Sequence, residues 1–422
     1  MTQETENWST IVLLVGVGLI LILWSFAVPI FEAPDEPLHW QYARYLNQTR
    51  SLPIYGPTFR EANSPPLYYA LIAPLAFETT LPPAMPEGDR AMVSPKLYQN
   101  RLADFGRYWP IRSARLATAL ISVLTVWFCI LSGTEASGKR ATGLLVGALV
   151  GFLPQFSFRG MNVSNDALVT MLSALALYLM VRIIGRGFTW SIGILAALTI
   201  ASAFLSKTTA IFLPFPLFLV LSFGKSSSYT KATRTGVLAA IMLISVAPWL
   251  LRNQHLYGDL LAQKAMLTAV KDLVRIKPLC SPYFVTRFPR LLATSFIGDF
   301  GWMNLPLPVW LYRVYISFMA FAVLCWLRAA VQAQIDGRVS LLCASICALN
   351  LIVVVYMNLT FSQAQGRYLL PALPAAALLC GLGLESLEAW SRKSTLTTAS
   401  LLAVSNLLIL TMLVVPSYWL FR

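Results

Sequence analysis

TIVLLVGVGLILILWSFAVPI (residues 10–30) runs without a break into FEAPDEPLHWQY (residues 31–42). The first segment carries no charge and, at about 1.5 Å per helical residue, is long enough to cross a hydrocarbon core of about 30 Å. Hydrocarbon offers a bare backbone no hydrogen-bond partner, so the segment has to be a helix. The second segment sets three carboxylates, Glu32, Asp35 and Glu36, and one of only two histidines, His39, at the membrane surface where that helix ends. The acidic leader residues Glu4 and Glu6 argue against a cleavable signal peptide, so the first helix is expected to stay as an anchor.

Ten further apolar runs follow, at residues 115–132, 141–156, 166–184, 188–206, 208–223, 236–251, 309–326, 339–360, 368–384 and 397–415. The expected fold class is all-α: a polytopic integral membrane protein of about 11 transmembrane helices, one transmembrane domain over residues 1–422 with no soluble C-terminal domain. Composition agrees, since 57% of the 422 residues are hydrophobic, only 12% are charged and mean hydropathy is +0.66. A water-soluble globule is excluded.

Lys and Arg total 32 against 18 Asp and Glu, a net charge of +14. With the N-terminus cytoplasmic, the short inside loops hold Lys139, Arg140, Arg182, Arg186, Lys225, Lys231, Arg234, Arg328, Arg338, Arg392 and Lys393, while the short outside segments hold only Arg159, Lys207, Arg367 and Arg422. This bias obeys the positive-inside rule and puts the two long polar loops, 31–112 and 252–308, outside the cytoplasm. The first long loop is close to charge balance. The second sets Arg252, Lys264, Lys271, Arg275, Lys277, Arg287 and Arg290 against Asp259, Asp272 and Asp299. Most of the surplus is thus an insertion signal, and the partners it implies are the lipid bilayer and no nucleic acid. Of the six cysteines only Cys280 lies in an outer loop, so no disulfide framework is expected, and Cys343 and Cys347 read as small residues packing a helix interface.

Pro37 suits the first turn of a helix, so residues 37–50 should form one, with Asp35 or Glu36 at its N-cap. Asp166 opens another helix, Lys207 sits in a tight outer turn, and Arg252, His255, Arg367 and Tyr368 lie just outside spans. Taken singly, these are capping residues and snorkelling cations. Taken together, Asp35, Glu36, His39, Asp166, Lys207, Arg252, His255 and Arg367 come from separate parts of the chain to one membrane face. Carboxylates beside cations at a lipid boundary suit group transfer from a lipid phosphate: a carboxylate deprotonates the acceptor hydroxyl and cations stabilise the departing phosphate. Glycoside hydrolysis would instead need a carboxylate pair.

These motifs resemble the GT-C class of membrane glycosyltransferases. Asp35-Glu36-Pro37-Leu38-His39 is similar to the Asp-Glu-x-x-His of protein O-mannosyltransferases and the Asp-Glu of aminoarabinose transferases, and Ser64-Pro65-Pro66-Leu67-Tyr68-Tyr69 to a later segment of their first loop. The likeness is closest to a family of predicted bacterial membrane proteins in that class, on Pro34-Asp35-Glu36-Pro37, Asn165-Asp166-Ala167-Leu168, Lys207-Thr208-Thr209, Arg252-Asn253, Phe300-Gly301-Trp302-Met303 and Gln365-Gly366-Arg367-Tyr368. The resemblance implies a GT-C-like bundle with Asp35 as catalytic base, Glu36 as the neighbouring acid and Asp166 as the acid of the second outer turn. Lys207, Arg252 and Arg367 would bind the carrier phosphate, and His39, His255 and Tyr368 would line the substrate site. Some members use a divalent metal, which Asp35, Glu36, His39 and Asp166 could ligate.

The expected function is an inverting glycosyltransferase. It would move a sugar from a polyprenyl-phosphate carrier to an envelope glycan, lipid or protein acceptor, at the outer face of a bacterial cytoplasmic membrane. A transporter or flippase of lipid-linked glycans is the first alternative, although its charges would crowd mid-membrane. A non-catalytic envelope-assembly subunit is the second.

Overall fold

The computed structural model describes residues 3–56, 58–77, 109–269, 274 and 276–420; Lys271, Asp272, Arg275 and Arg422 of the charge inventory lie outside them. Sixteen α-helices follow one another among the described residues: α1 Gln3–Ala27, α2 Glu36–Thr49, α3 Leu67–Ile72, α4 Trp109–Ser137, α5 Arg140–Gly151, α6 Pro154–Gly160, α7 Asn165–Arg186 and α8 Trp190–Ser206. They continue as α9 Pro214–Ser222, α10 Ser228–Tyr257, α11 Gln263–Ala269, α12 Phe288–Ile297, α13 Val309–Val331, α14 Gly337–Thr360, α15 Leu373–Glu385 and α16 Arg392–Ile409. The described strands are a two-residue antiparallel ladder of β1 (Asp299–Phe300) on β2 (Leu305–Pro306).

Every one of the eleven expected runs is helical. Among the described residues eight helices are long and apolar enough to cross a membrane, and a ninth crossing results if α5 and α6 form one span bent by 69°. The other two runs give shorter apolar helices, Trp190–Ser206 and Thr208–Ser222. The α5–α6 bend has a local cause: Pro154 has no N–H to continue α5 and disfavours helical backbone before it. The Phe152 carbonyl at the bend is taken up by the Asn406 side-chain amide, 3.1 Å away, whose oxygen accepts from Trp24 Nε1 at 2.8 Å. In hydrocarbon such internal satisfaction is what permits a break.

Packing sorts the helices into two layers. The apolar stretches of α7 and of Gly366–Glu385 are 78% buried, whereas that of α10 is 17% buried and faces outward through residues such as Leu243 and Ile244. Backbones of α4 and α5 meet where Gly133 faces Gly143; a Cβ on Gly133 would lie 2.9 Å from the Gly143 Cα. Small residues let membrane helices approach this closely. Two boundaries differ from the sequence reading. The second span starts at Trp109, so Arg112 and Arg115 lie inside α4, and α2 begins at Glu36 and ends at Thr49, with Arg50 left-handed at its C-cap.

Candidate active site

Asp35 occupies the N-cap of α2 in left-handed backbone (φ 66°), yet its side chain makes no capping hydrogen bond. Its carboxylate turns to the Arg367 guanidinium instead, with Oδ2 2.5 Å from Nη2 and the Asp35 side chain still 26% exposed. Asp35 thus stands at the N-cap position expected, but without a capping side-chain bond: a short polar side chain tolerates the left-handed conformation, and this one uses it to face another helix. Burial pushes the Asp35 carboxyl up, but the positive charge of Arg367, aided by Arg159, outweighs it and holds the group below the usual carboxylate range.

Asp166 opens α7. Ser164 does the capping, its hydroxyl accepting from Asp166 N–H at 3.2 Å, which leaves the carboxylate free for cations. Arg159 of α6 donates to Oδ2 at 2.7 Å, Lys207 pairs with Oδ1, and Arg367 Nη1 lies 4.0 Å from Oδ2. Close packing brings these groups together. Asn165 Nδ2 donates to the Ser206 carbonyl at 3.2 Å, tying the start of α7 to the end of α8 and so to Lys207. Gly366 lies against α12, where a Cβ would come 2.1 Å from Phe296 N, and its N–H donates to Ser295 Oγ at 2.7 Å. Only glycine allows that approach, and Arg367 is thereby delivered to Asp35 and Asp166. Tyr368 completes the group, its ring 5.0 Å from Lys207 Nζ and 5.1 Å from Arg367 Cζ. Among the described residues, the ion-paired set is two carboxylates and three cations, so within it one positive charge has no carboxylate of its own.

On the α2–α3 side, His39 is buried and its Nδ1 shares a 2.7 Å hydrogen bond with the Tyr69 hydroxyl. Burial drives the imidazole down to about 3, so it is neutral at physiological pH. Glu61 Oε2 lies 4.0 Å from that Nδ1 and accepts from Ser64 Oγ at 2.9 Å. Burial, reinforced by the negative charge of Asp35, raises Glu61 to about 7. Adjacent acids thus hold different protonation states: Asp35 ionised, Glu61 titrating near neutrality.

Glu36 faces away from this group. It is fully buried in a fork with Arg115, at 2.7 Å (Oε1 to Nε) and 2.6 Å (Oε2 to Nη2), and accepts the N–H groups of Phe31 at 2.8 Å and Val163 at 3.1 Å. Arg115 in turn donates to the carbonyls of Ser25, Val28 and Pro29. The pair clamps the end of α1, the Asp35 turn and the loop before Asp166.

Residues 105–251 match the family described as dolichyl-phosphate-mannose-protein mannosyltransferase. No curated protein matches the chain by sequence. Among solved structures, the chain superposes over 98% of its length on 74% of ArnT from Cupriavidus metallidurans bound to undecaprenyl phosphate, at 14% identity and a TM-score of 0.55. It also superposes over 99% of its length on 56% of the archaeal oligosaccharyltransferase AglB from Archaeoglobus fulgidus, in complex with an inhibitory peptide and a dolichol-phosphate, at 11% identity and a TM-score of 0.55. The chain has the GT-C fold. It is a multi-pass membrane protein, as the run of apolar helices requires.

Within this GT-C fold, Asp35, His39, Asp166, Lys207, Arg367 and Tyr368 converge as the sequence suggests. Three expected residues stand elsewhere. Glu36 is the buried clamp just described, with no free lone-pair direction toward a substrate. Arg252 donates to the Pro53 carbonyl at 2.8 Å and stacks on Trp249, bracing residues 52–53 against α10. His255 is exposed on the last turn of α10 and has no hydrogen bond or ion pair with a described residue. The sequence reading missed Arg159 and Glu61. A lone arginine in the apolar run FLPQFSFRGM (residues 152–161) is the signal for the first; Glu61 carries none. Among the described residues no three His, Cys, Asp or Glu side chains gather as a metal would need. Asp166 and Glu36 are already matched to guanidinium and ammonium groups, so this donor set does not fit a divalent ion.

Proposed function

We propose that this protein is an inverting glycosyltransferase that moves a sugar from a polyprenyl-phosphate carrier to a cell-envelope acceptor. The cluster would lie at the outer face of a bacterial cytoplasmic membrane, the side the positive-inside bias assigns to it. The observation that carries the reading is the surplus cation at the Asp35–Arg367–Asp166–Lys207–Arg159 cluster. A carrier phosphate entering there meets Lys207 and Arg367, whose side chains are 15% and 8% exposed, while Arg159 stays behind Asp166. The likeness to folds solved with undecaprenyl phosphate and dolichol-phosphate supports the choice of ligand.

The chemistry follows from partner exchange. When phosphate oxygens take over Arg367, Asp35 loses the charge that depresses its basicity, so carrier binding turns a poor base into a better one. Asp35 then accepts the proton of the acceptor hydroxyl. The acceptor oxygen bonds to the anomeric carbon from the face opposite the phosphate, the carbon–oxygen bond to phosphate breaks, and the phosphate leaves as an anion held by Lys207 and Arg367. No acid is needed for such a leaving group.

The test is transfer of radiolabelled sugar from polyprenyl-phosphate donors to envelope fractions by the purified protein. Lys207→Ala and Arg367→Ala should raise KM for the donor about 10-fold or more, as expected for lost charge-assisted hydrogen bonds. Uptake of a lipid-linked glycan into vesicles with no transfer would replace this reading with the transporter.

A further inference from the structure

Beside the Asp35 cluster a string of polar side chains runs from His39 to Glu61, and the proposed transfer gives it no task. Tyr69 is fully buried and pinned by Tyr42, whose ring stacks on it at 3.8 Å, and its hydroxyl lies 2.7 Å from His39 Nδ1. Ser64 Oγ hydrogen-bonds the Tyr69 hydroxyl and donates to Glu61 Oε2 at 2.9 Å, and that oxygen lies 4.0 Å from the same Nδ1. With Nδ1 committed to Tyr69, Nε2 is the ring nitrogen left for the cluster, and the charges acting on His39 are those of Asp35, Asp166, Lys207 and Arg367. A neutral imidazole carries one proton, so the hydrogen bond at one nitrogen decides whether the other is a donor or an acceptor.

Each hydroxyl of the string has one proton to donate, so the direction of the whole string follows Glu61. When Glu61 is ionised, Ser64 donates to it, Tyr69 donates to Ser64 and His39 Nδ1–H donates to Tyr69, which leaves a bare lone pair on Nε2. When Glu61 holds a proton it donates to Ser64, Ser64 donates to Tyr69 and Tyr69 to Nδ1, and the ring proton then sits on Nε2. One proton is gained, at Glu61; the imidazole keeps one throughout and exchanges it between its nitrogens through water at the Asp35 side, which is 26% exposed. We propose that Tyr69 and Glu61 are positioning residues that act through His39, whose Nε2–H holds the Asp35 carboxylate on the acceptor hydroxyl once the carrier phosphate has drawn Arg367 away. The inference rests on the proposed transfer and adds the residues that orient its base. Glu61 faces Asp35, His39 and Tyr42 on the α2 side, Tyr55 in its own loop, Tyr69 of α3, and Lys207 and Arg367 of the cluster. Burial and the Asp35 charge outweigh the two cations and raise Glu61 to about 7, so the donor form of His39 prevails on the acid side of neutrality.

The chain has two histidines, so ring nitrogen-15 resonances of the full chain in lipid nanodiscs, with His255→Asn to leave His39 alone, read the tautomer independently of activity. The proton should sit on Nε2 at about pH 6 and on Nδ1 at about pH 8. Glu61→Gln, uncharged at every pH, should keep it on Nε2 throughout, and Tyr69→Phe, which keeps the ring stack, should make the tautomer indifferent to pH. In transfer assays the wild-type kcat should fall as pH rises through about 7, and Glu61→Gln should abolish that fall. Tyr69→Phe should lower kcat about 5-fold on the acid side, the worth of about one hydrogen bond, with donor KM unchanged. A wild-type tautomer that ignores pH, or one that still follows it in Glu61→Gln, overturns the string. Wild-type kcat in Tyr69→Phe overturns the positioning role and leaves the transferase reading intact. A wild type that switches tautomer but transfers no sugar from any polyprenyl-phosphate donor ends the transferase reading and the positioning role with it.

Discussion

The two ends of the bundle use ion pairs in opposite ways. At one end Lys139 meets Glu385, Arg186 meets Glu135 and Arg338 meets Asp336, with the cations 50–65% exposed. At the other, Arg115 meets Glu36, Arg159 meets Asp166 and Arg367 meets Asp35, with the cations only 0–8% exposed. Exposed pairs are worth about 0–1 kcal/mol each, whereas burying an ion costs several kcal/mol before its partner returns anything. A bundle could fold with the first kind alone. On the proposed function the second kind is kept at one end for the chemistry there, and Asp35 and Glu36 differ in it: Glu36 is sealed into the frame, and its neighbour is left partly open on a guanidinium that a phosphate could claim.

The largest effect should come from breaking the sealed pair. Arg115→Leu strands Glu36 in the interior without its partner and should lower stability by about 3–5 kcal/mol, seen as a large fall in the thermal midpoint of the detergent-solubilised protein. A midpoint close to wild type would mean that the clamp is dispensable. Next is Gly366→Ala. Its Cβ has nowhere to go against Phe296, so α12 and the Gly366–Ala372 turn must part, moving Arg367 off Asp35. Donor KM should rise at least as much as in Arg367→Ala, and unaltered donor kinetics would sever the link between that glycine and the cluster.

A pH series probes the acids of the buried end collectively. Glu32 and Glu61 are raised to about 7 and Asp299 to about 6, all chiefly by burial. The native state therefore keeps protons that the unfolded chain releases from about pH 4 upward, and stability should fall as pH rises from about 5 to 7. Glu61→Gln should flatten that decline; a slope unchanged in the variant would remove Glu61 from the explanation. The smallest effect belongs to the exposed end, where Lys139→Ala should cost less than about 1 kcal/mol and leave transfer untouched.

Much of this was legible in the sequence, for physical reasons that also mark the limit. Hydrocarbon forces apolar runs into helices, so all eleven runs are helical, and alternation of sides brings Asp35, Asp166, Lys207 and Arg367 to one end. Which charge meets which is set by helix packing. Arg115 finds Glu36 across 79 positions of sequence, and Arg159 reaches Asp166 only because α5 breaks at Pro154. Arg252 and His255 lie at the same end of α10, but the first is spent on backbone carbonyls and the second points outward. The difference between Asp35 and Glu36, adjacent and chemically alike, rests on a left-handed backbone at Asp35 that one-dimensional spacing does not reveal.

The account turns on that difference, and a paired measurement addresses it most directly: single-turnover sugar transfer and thermal midpoint on Asp35→Asn and Glu36→Gln. Asp35→Asn should slow transfer about 100-fold or more, the usual contribution of a general base, with its midpoint close to wild type. Glu36→Gln should lower the midpoint and keep measurable transfer at temperatures where it remains folded. Transfer by Asp35→Asn at the wild-type rate would contradict the account.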